Sequence, residues 1–131
     1  MQIHQSAEDY LETILMLNQR MGRVRSIDVV NELGYTKASV SIAMKKLREN
    51  GYIAVDGEGN LTLLEPGREI AERIYSRHRL LTHFFVQLGV DEEVAAEDAC
   101  KAEHILSEQT LKKIREYALL HDAEDSVQRS E

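Results

Sequence analysis

Between Ser26 and Leu64 the chain sets out starts and stops in an order that few folds accommodate. Ser26 opens a short run with apolar Val29, Val30 and Leu33, ended by Gly34. Tyr35 is the turn, and Thr36 opens a second run with Val40, Met44 and Leu47, ended by Gly51. Apolar residues three and four apart line one helix face, Ser and Thr oxygens accept the free N–H groups of a first turn, and glycine closes a helix. Two short helices joined by a glycine-containing turn make a helix-turn-helix. Beyond it, Tyr52-Ile53-Ala54-Val55 and Leu61-Thr62-Leu63-Leu64 read as strands around a hairpin turn, Asp56-Gly57-Glu58-Gly59-Asn60. A winged helix-turn-helix is therefore expected.

The flanks read as helices. Tyr10, Leu11, Ile14, Leu15 and Leu17 recur at helical spacing to about Arg20, with Ser6 and Asp9 resembling a capping box. Pro66, the only proline, suits the first turn of a long helix reaching Leu88 and carrying Ile70, Ile74, Leu81, Phe84 and Phe85. After Gly89, Asp91 is expected to cap a helix through Leu106, and Ser107 another with Leu111, Ile114 and Tyr117. From His121 the chain is polar and acidic, and is expected to fray. The expected fold is mainly α, with a winged helix-turn-helix over 1–65 and an all-helical region over 66–131. A chain of 131 residues can bury the one or two cores this needs.

The net charge of −7 is unevenly spread. Residues 20–50 hold seven basic and three acidic groups, a net of +4, whereas residues 90–131 hold five basic and twelve acidic, a net of −7. Positive charge is thus concentrated on the helix-turn-helix, where nucleic acid would bind. A single cysteine cannot staple the monomer, and the N-terminus has no basic stretch followed by an apolar one. A cytoplasmic protein without a membrane span is expected.

If the second helix of the pair enters the major groove, its N-terminal residues Lys37, Ala38, Ser39 and Ser41 lie nearest the bases, while Lys45, Lys46 and Arg48 suit phosphates. No arginine stands in its first turn to grip guanine. Base reading then falls to Ser39, Lys37 and contact of Ala38 with a thymine methyl. Thr36 and Ser26 could donate to phosphates from helix N-termini, flanked by Arg23 and Arg25. The plain alternative is a solvated basic face, and Asp56 and Glu58 argue against deep insertion of the wing.

A second constellation concerns metal. Cys100, Glu103 and His104 stand at i, i+3 and i+4, on one face if the segment is helical; Asp9 and Glu12 stand at i, i+3 on the first helix, and His78 on the long one. Thiol, imidazole and carboxylate together suit Fe(II), Mn(II), Co(II) or Zn(II), and suit Ca(II) or Mg(II) poorly. Each residue alone has an ordinary account. Cys100 could be a small buried apolar residue, Asp9 a cap and Glu12 a solvated group, while His78 could pair with Glu72 or Glu97. His4, His83 and His121 read as surface or core histidines.

At this point a resemblance is specific. Glu8-Asp9-Tyr10-Leu11-Glu12 with Ile14 and Leu17, Arg77-His78-Arg79-Leu80-Leu81, and Asp98-Ala99-Cys100 with Glu103-His104-Ile105-Leu106-Ser107 resemble segments of one family of metal-dependent repressors. That family includes the diphtheria toxin repressor and the manganese transport regulators, and the similarity covers about Ser6 to Leu120. It implies a homodimeric repressor with a winged helix and a helical metal-binding and dimerisation region, matched to a palindromic operator in double-stranded DNA.

Position by position the chain is a hybrid. The manganese branch has Asp and Glu as at Asp9 and Glu12, but Glu where this chain has Cys100. The iron branch has Cys there but Met at the place of Asp9, and draws further ligands from positions that are here Thr82 and Ala96. It also usually carries an SH3-like domain, which this short sequence is expected to lack. The resemblance implies a main site of Asp9, Cys100, Glu103 and His104, with Glu12 and His78 forming or supporting a second. Mn(II) or Fe(II) is the expected ion, with Co(II) or Zn(II) also able to bind. The rival readings are a winged-helix regulator gated by a non-metal ligand, a DNA-free interaction module, and a metalloenzyme. The last lacks an evident general base beside an open coordination position.

Overall fold

A computed structural model describes the backbone of residues 5–130 and the side chains of residues 5–123. His4 lies outside these. The chain divides into two compact units, residues 1–73 and 74–131. None of the described helices is long and apolar enough to cross a membrane.

The first unit holds α1 (Gln5–Met21), α2 (Ser26–Leu33), α3 (Lys37–Glu49), β1 (Ile53–Val55), β2 (Leu61–Leu63) and the opening turns of α4 (Glu65–Gln87). The two strands pair antiparallel, with Ile53 opposite Leu63 and Val55 opposite Leu61. Arg25 bridges Asn60, and Leu61 N donates to Val24 O at 2.7 Å, so the segment before α2 extends the hairpin by one short rung. The core is built from the periodic positions: Leu11, Ile14 and Leu17 of α1, Val29 of α2, Val40, Met44 and Leu47 of α3, and Ile53, Leu61 and Leu63 of the strands. Burying each such side chain stabilises the fold by roughly 1.5–3 kcal/mol. The winged helix-turn-helix expected from the sequence is borne out.

Its punctuation is largely as read. Thr36 is the N-cap of α3, its Oγ1 accepting from Ser39 N at 3.1 Å. Gly34 closes α2 at φ 72, a conformation side-chain-bearing residues rarely adopt. Two caps differ. Ser6 lies inside α1, and Ser26 is the first residue of α2, whose N-cap is Arg25. The Asp28 carboxylate there accepts from Arg25 N at 2.9 Å, so an acid three residues on supplies the cap.

The second unit holds the rest of α4, α5 (Glu92–Ala102) and α6 (Glu108–Ser130). Leu81, Ala99 and Leu111, one from each helix, form its buried centre, with Leu80, Phe85, Ala102, Leu106 and Ile114 packed around them. Fully buried Ala95 and Ala99 give α5 a narrow inner face. Phe84 meets Tyr117 edge-on at 5.7 Å, and His83 Nε2 lies 2.9 Å from Asp122 Oδ1, fixing α6 against α4. Past His121 the backbone is helical, with α6 running to Ser130. α5, by contrast, stops at Ala102, four residues before the expected Leu106.

Candidate functional site

The outward face of α3 is the first candidate surface. Val40, Met44 and Leu47 point into the core, which turns Ala38, Ile42, Lys45 and Glu49 outward, all of them exposed. Lys37, Ser39, Ser41 and Lys46 are exposed beside them, as are Thr36 and Arg25, and Ser26 is half-buried. Ile42, 58% exposed, was not singled out by the charge pattern, although its place opposite the buried stripe is readable from the sequence. Thr36 is engaged as a cap, its hydroxyl also donating to Ser39 Oγ at 2.9 Å.

The wing turn is ordered by its own acid. Asp56 Oδ1 accepts from Glu58 N and Asn60 N, both at 2.9 Å, and Oδ2 from Asn60 Nδ2 at 3.0 Å. These bonds, those from Asn60 foremost, hold the Asp56 carboxyl below its usual range. Asp56 is therefore a built-in brace of the hairpin, and Glu58 lies 3.8 Å from Arg23.

The second candidate is a cluster of metal-ligating groups in the second unit. His78 projects from α4, and its Nδ1 lies 3.0 Å from Glu103 Oε2 and 3.6 Å from Cys100 Sγ. His104 Nε2 lies 3.4 Å from Glu103 Oε1, so one carboxylate stands between two imidazoles. Glu103 is fully buried and the His104 side chain is 2% exposed, whereas Cys100 is exposed. Hydrogen bonding to Cys100 and then to Glu103 raises the His78 pKa to about 10.

The backbone beneath this cluster is not the regular helix face expected. Cys100 is in the last turn of α5, Glu103 is its C-cap, and His104 lies in the turn that follows. The three are linked in a chain through His78, which meets Cys100 and Glu103, while Glu103 in turn meets His104. Glu103 keeps right-handed helical angles and its N–H still donates to Ala99 O at 2.9 Å, so the helical spacing persists one residue past the helix. Neither Glu72 nor Glu97, the sequence-based candidates, is the partner found for His78. Asp9 and Glu12 stand on α1 at i, i+3, with the Glu12 side chain buried. Next to them, Glu8 pairs with Arg73 at 3.3 Å.

One residue beside the cluster was missed. Arg77 donates from Nη1 to the Glu103 carbonyl at 3.2 Å and pairs through Nη2 with Glu108. Its sequence signal was only its place beside His78.

The donor set fits a borderline transition metal. Two imidazoles, a thiol and a buried carboxylate are N, S and O ligands of the kind such ions take. Among the described residues, Glu103 Oε1 accepts no hydrogen bond, which leaves a buried oxygen with lone pairs to give.

Residues 2–61 match the model of the iron dependent repressor N-terminal DNA binding domain, and residues 64–121 match that of the iron dependent repressor metal binding and dimerisation domain. The chain belongs to the iron-dependent repressor family. Members similar to it include a helix-turn-helix transcriptional regulator of Methanocaldococcus jannaschii whose role is uncharacterised. It is 35% identical over 113 residues, which span 85% of this chain and 90% of the relative. The transcriptional regulator MntR of Bacillus subtilis is 32% identical over 121 residues, 92% of this chain and 85% of MntR. Among solved structures, a manganese-dependent transcriptional repressor in complex with manganese superposes with a TM-score of 0.78 at 28% identity. The match covers 86% of this chain and 52% of that one. The chain thus spans about half the length of that structure's polypeptide. In the terms of the iron-dependent repressor family, the exposed face of α3 falls in the DNA-binding domain, and the His78–Cys100–Glu103–His104 cluster falls in the metal-binding and dimerisation domain.

Proposed function

We propose that this protein is a metal-dependent transcriptional repressor in the cytoplasm that binds a palindromic operator as a homodimer when loaded with Mn(II) or Fe(II), and so controls metal homeostasis. Residues 1–65 read the DNA, and residues 66–131 bind the metal and dimerise. The observation that carries this is the meeting of His78 and His104 on the buried Glu103 carboxylate, with Cys100 beside His78. Asp9 and Glu12 of α1 are proposed to complete the donor set, as the family resemblance implies. Their spacing turns both towards one side of α1, and the side chain of Glu12 is buried there. DNA contacts are assigned to Arg25, Ser26, Thr36, Lys37, Ala38, Ser39, Ser41, Lys45 and Lys46, the lysines and Arg25 by charge and the first turn of α3 by reach into the groove.

A bound divalent ion supplies positive charge and directional bonds to the carboxylates. The residues do the rest. Asp9, Glu12 and Glu103 repel one another when uncompensated, which works against holding α1 beside the metal ligands. Once that repulsion is offset, α1 is held and the helix-turn-helix it leads into is fixed for the operator. A ~100-fold rise in DNA affinity needs only about 3 kcal/mol of differential binding between the two states. Cys100, where the manganese branch has Glu, moves preference towards softer ions and so towards Fe(II), Co(II) and Zn(II). Cellular availability then decides between Mn(II) and Fe(II). The chemistry is regulatory rather than catalytic.

The test is anaerobic. The protein is stripped with chelator, loaded in turn with Mn(II), Fe(II), Co(II) or Zn(II), and assayed against duplexes selected from a random pool, with mass measurement reporting the ions bound. Metal uptake with tighter binding to a two-fold symmetric site supports the proposal. Identical DNA binding in stripped and loaded protein overturns it.

A further inference from the structure

We propose that Arg77 is the positioning residue of the metal cluster, holding Glu103 by its backbone while the adjacent His78 engages the same residue by its carboxylate. This rests on the metal-binding reading above. Glu103 is the C-cap of α5, a position where the carbonyl is left without a helical N–H partner. Arg77 Nη1 fills that place at 3.2 Å. The Glu103 N–H is meanwhile tied to Ala99 O at 2.9 Å, so both backbone groups of the residue are held. Only the side-chain torsions stay open, and contact of Oε2 with His78 Nδ1 at 3.0 Å closes those.

Consecutive residues of one α4 turn thus grip the two ends of a single fully buried glutamate. A ligating head group set this way needs little reordering when a metal arrives. The second contact of Arg77 matters less. Glu108 is 79% exposed, so water and salt screen that ion pair, whereas the Arg77 side chain is only 15% exposed and its bond to the carbonyl lies in a partly buried place. This ordering separates positioning of the ligand from simple stapling of the turn between α5 and α6.

The experiment titrates full-length wild type, Arg77→Met, Arg77→Lys and Glu108→Gln with Co(II) under anaerobic conditions, against a competing chelator. The visible absorption of the bound ion is recorded at saturation, and melting curves are taken without metal. Arg77→Met keeps an apolar stem but no donor, and is expected to weaken Co(II) binding by ~10–100-fold, the usual range for groups that orient ligands, and to shift the visible bands. Arg77→Lys, with one donor restored, is expected to recover most of the affinity, and Glu108→Gln to stay within about twofold of wild type. Wild-type affinity and spectrum in Arg77→Met would overturn the proposal. So would equal losses in Arg77→Met and Glu108→Gln, which would make Arg77 a staple of the turn. If Arg77→Met does not fold, Arg77→Leu, which also lacks a donor, takes its place in the same comparison with Glu108→Gln. A wild-type protein that takes up no Co(II) would instead overturn the metal-binding reading itself.

Discussion

His78 Nδ1 and Glu103 Oε2 stand 3.0 Å apart, joining α4 to the end of α5 across 25 residues of sequence. The His78 ring, held protonated, donates to this carboxylate oxygen, and a cation that takes the Nδ1 of His78 must displace a proton from it. The geometry that awaits the ion is therefore also its competitor.

This sets the pH dependence of metal uptake. His78 is held protonated up to about 10, first by Cys100 and then by Glu103. Below that value metal binding at this ring releases one proton, so affinity for Co(II) should rise with pH by up to ~10-fold per unit from His78 alone. The slope of log affinity against pH between 6 and 8 should fall by about one proton in His78→Gln; an unchanged slope would count against the pairing. The metal-free fold responds in the opposite sense. Because the folded pKa lies above the ordinary 6.5, the charged ring stabilises the fold fully below 6.5, and that contribution fades as pH climbs to about 10.

Cys100 should set selectivity. Exchanging it for glutamate replaces a soft ligand with a hard one and restores the pattern of the manganese branch. In Cys100→Glu the ratio of Mn(II) to Co(II) affinity should rise by ~10-fold or more, read by competition titration under anaerobic conditions. An unaltered ratio would place the thiol outside the ligand set.

The cap of α3 offers a check on the proposed DNA contacts that is independent of metal. Thr36 Oγ1 accepts the Ser39 N–H, and losing such a cap typically costs about 1 kcal/mol. Thr36→Ala should lower the melting temperature by a few degrees and weaken operator binding, because the first turn of α3 carries Lys37, Ala38 and Ser39. Thr36→Ser should restore both.

Gly67 sits where α4 passes the chain entering β1, and a side chain there would clash with the Tyr52 carbonyl oxygen. That oxygen is already fixed by Leu64 N at 3.0 Å, so it cannot simply swing aside. Alanine gains ~1 kcal/mol of helix propensity over glycine, while an overpacked contact typically costs about 1–3 kcal/mol. The clash should win. Gly67→Ala should be less stable than wild type in urea titration, and a gain in stability would show that the strand entry is more yielding than its hydrogen bonds imply.

Much of the first unit was legible because its signals are local. Thr36, Gly34 and the helical spacing of Val40, Met44 and Leu47 each act within a turn or two, and the hairpin follows from Asp56-Gly57-Glu58-Gly59-Asn60. Ser26 misled by one residue because the cap role had passed to Asp28, which closes the turn onto Arg25. At the other end, Glu103-His104-Ile105-Leu106 continues a helix-favouring stretch without glycine or proline, so nothing local marks the stop at Ala102. The Glu103 carbonyl is taken instead by Arg77, a contact 26 residues distant that no periodicity records. The candidate ligands stood out as residue types at a spacing, whereas the pairing of His78 with Glu103 depended on tertiary packing.

In the proposed function, Asp9 and Glu12 of α1 act together with the cluster of the second unit to govern the grip on DNA. The most direct measurement is operator affinity with saturating metal and with chelator, for wild type, Asp9→Ala and Glu103→Ala. Wild type should bind ~100-fold more tightly when loaded, and both variants should keep their melting transitions but lose that gain. Equal affinity of wild type with and without chelator, or a full metal response in Asp9→Ala, would contradict the account.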